Sequence, residues 1–208
     1  MSTAVKFQSP KGELQWVTID GEGKENMSGK LQYVANVVMS AEDAAPLIAK
    51  LEAFWEENKP NGFKKAPKSM GYYPEKEKNP DTDEWDIETG RISFAFKTGT
   101  TYTDGAAKVI NIHNAKGNKI SLGGRKIGNG SMGIIGGAMG VYANQPKGKV
   151  LDAGVTLYLN AIQLTKFEEY STDDSFAAQE EDGFEGFDET TEQFSDESTQ
   201  DSSAKPKL

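Results

Sequence analysis

The chain has 208 residues, with 23 Lys or Arg against 32 Asp or Glu, a formal net charge of −9. It has no cysteine and one histidine, His113, which excludes disulfides, thiol nucleophiles, cysteine zinc sites and multi-histidine metal centres. No apolar run approaches the roughly 18 residues that cross a bilayer, and Met1-Ser-Thr-Ala-Val-Lys6 lacks the charged-then-apolar order of a secretion signal, so the expectation is a soluble protein of a cytoplasm, without membrane partners.

The charge is strongly segregated. Residues 171–208 hold 12 Asp or Glu against two Lys, which leaves 21 basic and 20 acidic residues in 1–170. From Arg91 to Lys149 there are nine basic residues and one acid, Asp104. The expected organisation is one folded domain over 1–170 and a disordered acidic tail over 171–208, whose composition cannot build a core. A basic segment beside a tethered polyanion points to a phosphate-rich ligand.

Leu14 to Ile19, rich in branched and aromatic residues and flanked by Pro10-Lys-Gly12 and Asp20-Gly-Glu-Gly23, predicts a first strand. Lys30 to Ser40 predicts a second, with Leu31, Tyr33, Ala35, Val37 and Met39 on one side. The period then changes. Leu47, Ile48, Leu51, Phe54 and Trp55 form one apolar stripe of a helix over 44–58, ended by Asn58-Lys-Pro-Asn-Gly62. Ser40 or Asp43 can cap it, and Asp43 is favoured because it would keep Pro46 in the first turn. Phe63 to Gly90, broken by Pro67, Pro74 and Pro80, reads as a long irregular segment. Strands are expected over Arg91–Thr101, Ala107–His113 and Gly154–Phe167, with a hairpin turn at Asn114–Asn118. A Gly-rich passage, 117–140, should lead into a strand near 132–141. Mainly β with one helix, this order is closed most simply as an OB-fold-like antiparallel barrel.

Gly128-Asn-Gly-Ser-Met-Gly133 matches the dinucleotide G-x-G-x-x-G pattern, but the context refuses it. It follows Gly123-Gly-Arg-Lys126 rather than a buried strand, and its further glycines would break the helix it should open. The glycines instead let backbone approach a ligand, or turn a barrel corner, beside Arg125 and Lys126. In Arg91-Ile-Ser-Phe-Ala-Phe-Lys97, period two puts Ile92, Phe94 and Phe96 on one face, for which the core is the favoured place, and Arg91, Ser93, Ala95 and Lys97 on the other; either orientation leaves a basic face available. Lys64-Lys65 with Tyr72-Tyr73 interleaves cations and rings, the equipment for unpaired nucleic acid. Trp16, Tyr33 and Tyr158 suit either a barrel-face platform or the core. His113 has no companion, adjacent carboxylates diverge, and no catalytic constellation, metal site or cofactor site is found, so no enzymatic activity is expected. In the tail, Phe176, Phe184, Phe187 and Phe194 are rings that a partner groove would grip.

Lys126-Ile-Gly-Asn-Gly-Ser131 resembles the basic, Gly-rich entry into a late strand of the single-stranded DNA-binding proteins of tailed bacteriophages. Leu157-Tyr-Leu-Asn-Ala-Ile-Gln-Leu164 is similar to the final barrel strand of that family, which precedes an acidic tail. The resemblance implies an OB fold that binds single strands with little sequence preference and protects them in replication or recombination within a bacterial host. It also implies a tail that contacts DNA polymerase and helicase-primase. Here the tail ends Ala204-Lys-Pro-Lys-Leu208, so its internal phenylalanines would do that work. The expected phosphate contacts are Lys64, Lys65, Arg91, Lys97, Lys108, Arg125, Lys126, Lys147 and Lys149, with Tyr72, Tyr73 and Tyr102 stacking on bases. The alternative is an acidic-tailed assembly protein whose barrel binds protein rather than nucleic acid.

Overall fold

The computed structural model describes residues 4–146 and 149–170. In chain order the elements are β1 (Val5–Gln8), β2 (Gly12–Thr18), β3 (Lys24–Glu25), β4 (Leu31–Ser40), α1 (Ala41–Asn58), β5 (Tyr72–Lys78), β6 (Trp85–Gly99), β7 (Asn111–His113), β8 (Lys119–Ile120), β9 (Ser131–Asn144) and β10 (Asp152–Lys166). Five strands close on themselves. β2 pairs with β4, β4 with β6, β6 in parallel with β10, β10 with β9, and β9 again with β2. That ring is an OB-type barrel, as the strand pattern implies. The remaining strands hang on it: β1 on β9, β3 on β4, β5 on β6, and the β7–β8 hairpin on β10.

Alternation decides what faces inward. Tyr33, Ala35, Val37 and Met39 of β4 and Phe94 and Phe96 of β6 are buried, as the period-two pattern requires. Leu14, Ile135, Leu157, Leu159 and Ile162 complete the barrel core. Helix α1 buries Ala44, Leu47, Leu51, Phe54 and Trp55 against β4, β6, β9 and β10. Gly137 of β9 makes close approach possible, because a Cβ there would lie 2.4 Å from the Tyr158 carbonyl oxygen.

Two expectations need correction. The helix is capped by Ser40, not Asp43: the Asp43 N–H donates to Ser40 Oγ at 3.1 Å, and Pro46 sits inside the helix. The Ser40 hydroxyl also donates to Asp43 Oδ2 at 2.7 Å. Second, 63–90 is not irregular throughout, since β5 and the first half of β6 form a hairpin within it. Pro74 is accommodated because β5 pairs on one side only, with β6, so its missing N–H breaks no second ladder. The G-x-G-x-x-G passage, as expected, runs into a strand, β9, in keeping with the refusal of the dinucleotide reading.

Candidate nucleic-acid interface

The outer face of β2, β4 and β6, extended by β5, carries an open groove of about 620 Å³. Its rings are Trp16, Tyr73 and Trp85, respectively 53 %, 46 % and 55 % exposed, which leaves a face of each available to a flat ligand. Trp16 is there because β2 bulges: Gln15 pairs with Asn36 and Thr18 with Val34, so two residues face the single Ala35. In the bulge Trp16 has φ 53°, a left-handed conformation that a bulky side chain rarely adopts. Its N–H donates to Asn129 Oδ1 at 2.9 Å. Trp85 reaches the groove from the β5–β6 hairpin and meets Trp16 edge-on, with centroids 6.2 Å apart at 70°. Tyr73 crosses β6 above the small residues Ser93 and Ala95, and its hydroxyl accepts from Asn36 Nδ2 at 2.8 Å.

The floor is polar, with one cation held between two carboxylates. Arg91 donates from Nε and Nη2 to the two Glu75 oxygens at 2.6 and 2.7 Å, and from Nη1 to Glu13 at 2.6 Å. Glu75 also accepts from Thr89 Oγ1 and Gln15 Nε2. Burial pushes the Glu75 carboxyl up, but the hydrogen bonds from Arg91, Thr89 and Gln15 and the Arg91 charge outweigh it and hold it below the usual range. Ser93 Oγ, buried beneath the same wall, has no hydrogen-bond partner among the described residues.

A second groove, of about 470 Å³, opens beside the first. Its floor is apolar (Val17, Ile19, Ile110, Ile127), and Lys108, Lys119, Arg125 and Lys126 stand in its walls against one acid, Asp20. Gly123 and Gly124 line it too, with φ of 61° and 87°, turns that only glycine makes readily. The two grooves share walls: Trp16 and Asn129 line the first, and their neighbours Val17, Lys126 and Ile127 line the second.

The structure sorts the residues chosen from sequence into groups. Lys108, Arg125 and Lys126 come together in the cationic groove, where Lys108 also lies 5.0 Å over the exposed Tyr102 ring. Tyr73 and Arg91 come together in the aromatic groove, but Arg91 is held by two carboxylates. Lys97 lies on the same outer face, between Val34 and Tyr158, without an acidic partner among the described residues. Lys65 donates to the Leu151 carbonyl near Lys149, and so stands with it at the β9–β10 turn, away from the residues that line either groove. Exposed Lys64 precedes it in the chain. Tyr72 turns the other way and packs on Phe94, 5.8 Å between centroids, where burial and nearby Glu52 raise its hydroxyl. Lys147 and the tail residues Phe176, Phe184, Phe187 and Phe194 lie outside the described residues. Sequence reasoning left Trp16 open and passed over Trp85, which sat in a segment read as irregular. Asn129 lay in plain view in the Gly-rich motif, but nothing linear ties it to a residue 113 positions away.

No family model and no curated protein sequence matches the chain. Solved structures do. The crystal structure of gp2.5, a single-stranded DNA-binding protein encoded by bacteriophage T7, superposes with a TM-score of 0.55 at 15 % identity, covering 85 % of this chain and all (100 %) of that one. The fold is the one that phage single-stranded DNA-binding proteins have. The single-stranded DNA-binding protein of bacteriophage Enc34, solved in complex with single-stranded DNA, gives a TM-score of 0.54 at 12 % identity over 78 % of this chain and 86 % of that one. A second Enc34 structure gives 0.53 at 11 % identity over 84 % of this chain and 96 % of that one.

Proposed function

We propose that this protein binds single-stranded DNA without strong sequence preference, and carries no enzymatic activity. The observation that carries the reading is the pairing of an aromatic groove with a cationic one on an OB barrel whose structural neighbours include a single-stranded DNA complex. Rings stack on the faces of unpaired bases of any identity, while Lys108, Lys119, Arg125 and Lys126 follow the phosphates. Duplex DNA is rejected because its base faces are hidden in the stack. The polar floor adds donors and acceptors for base edges, Asn36 and Gln15 among them.

In this reading the protein protects exposed strands during phage DNA replication or recombination. Its acidic tail, 171–208, recruits replication proteins such as DNA polymerase and helicase-primase, and competes with DNA for the basic surface. A gel shift with one sequence as single strand and as duplex tests the core of the proposal. The expected result is retardation of the single strand only. Retardation of neither, with retention of a protein partner by the barrel, would favour an assembly role instead.

A further inference from the structure

The segment Lys126–Ser131 does more than approach a ligand. Gly128 has no room for a side chain, because a Cβ there would lie 2.9 Å from the Tyr170 nitrogen and 3.0 Å from the Glu169 carbonyl. Glu168–Tyr170 is zipped along it: Gly128 N–H donates to the Glu168 carbonyl at 2.8 Å, and Tyr170 N–H to the Lys126 carbonyl at 3.0 Å. Ser131 Oγ donates to the Glu168 carbonyl at 3.1 Å and accepts from Glu168 N–H at 3.0 Å. Gly130, at φ 89°, then turns the chain. These contacts pin the segment and leave Asn129 exposed beside β2, where its Oδ1 takes the N–H of Trp16.

That N–H needs an acceptor because the bulge removes it from the β2–β4 ladder, and a left-handed Trp needs holding. We infer that Asn129 is a positioning residue: by clamping the Trp16 backbone in the left-handed bulge it sets the indole as a pre-ordered stacking platform. Pre-ordering matters because a platform fixed before binding loses little freedom when a base lands on it. The inference rests on reading the groove as a single-strand site.

The test uses the full chain and a fluorescein-labelled oligothymidine, read by anisotropy at low and high salt. Asn129→Ala should weaken binding about tenfold at both salts, the scale of one lost base–ring stack, with the salt slope unchanged. In a Trp16→Ala background the same change should cost nothing further. Asn129→Asp keeps an acceptor oxygen and should restore near wild-type affinity at high salt, where its added charge is screened. Without DNA, Asn129→Ala should also alter acrylamide quenching of Trp16 in a Trp85→Phe protein. Wild-type protein that fails to bind would overturn the single-strand reading itself. Wild-type binding that Asn129→Ala leaves intact, or a loss that adds in full to that of Trp16→Ala, would overturn the positioning role alone.

Discussion

Tyr72 and Tyr73 are neighbours with opposite duties. Alternation along β5 sends Tyr72 to Phe94 and Tyr73 over β6 into the groove. Tyr73→Ala should therefore weaken single-strand binding about fivefold or more with little change in melting temperature. Tyr72→Ala should instead destabilise the fold by about 3 kcal/mol, a usual cost of emptying a packed ring site, while the protein that remains folded binds normally. Equal effects on affinity from both would remove Tyr73 from the interface. The pair also shows what a sequence can convey at this scale. Cation and ring content near 64–73 is legible, but which of two adjacent rings faces out depends on a strand that the prolines disguised. Arg91 teaches the same lesson. Its outward direction follows from period two, but its capture by Glu13 and Glu75 comes from residues 78 and 16 positions away.

At the scale of elements, barrel closure depends on how closely β9 and β10 can approach. Gly136 and Gly137 are adjacent and differ sharply. A Cβ at Gly136 would meet nothing nearer than 3.8 Å, whereas one at Gly137 would collide with the Tyr158 carbonyl and lie 3.0 Å from the Phe96 ring. Gly136→Ala should be nearly silent, and Gly137→Ala should cost about 3 kcal/mol because backbone and a buried ring must move together. Chemical denaturation of the two variants checks this, and similar midpoints would mean that the barrel yields at that corner. The elements that sequence made legible include those with long apolar faces: β4, whose alternation Val34 and Val38 interrupt, α1, the inner half of β6, and β10. Those it concealed are short or charged, such as β3, β8 and the Glu75–Lys78 stretch of β5, where pairing partners rather than local pattern make the strand.

For the whole molecule, the proposed function has the two grooves divide a polynucleotide between them. One offers rings over a polar floor whose one cation is held by two carboxylates, the other cations over an apolar floor, and the Trp16–Val17 and Lys126–Asn129 segments form the ridge common to both. If about six phosphates are engaged in all, log affinity should fall with log salt at a slope near −4. Charge reversals in the cationic groove, such as Arg125→Glu, should flatten the slope, and Tyr73→Ala should not. A chain ending at Tyr170 lacks 12 acidic residues and should bind more tightly, chiefly at low salt, where the tail's competition is least screened. Identical affinity with and without 171–208 would show that the tail stays clear of the grooves.

The edge-on meeting of Trp16 and Trp85 makes the protein its own optical gauge. The third indole, Trp55, is buried against Phe63 and should emit steadily whatever happens at the barrel surface. A base that slides between the outer two must part them, exchanging ring-edge contact for a sandwich and dimming both at once. Occupancy of the groove can then be followed in unlabelled protein against a constant internal standard, and the depth of the dimming would count how many of the two indoles a given strand has reached.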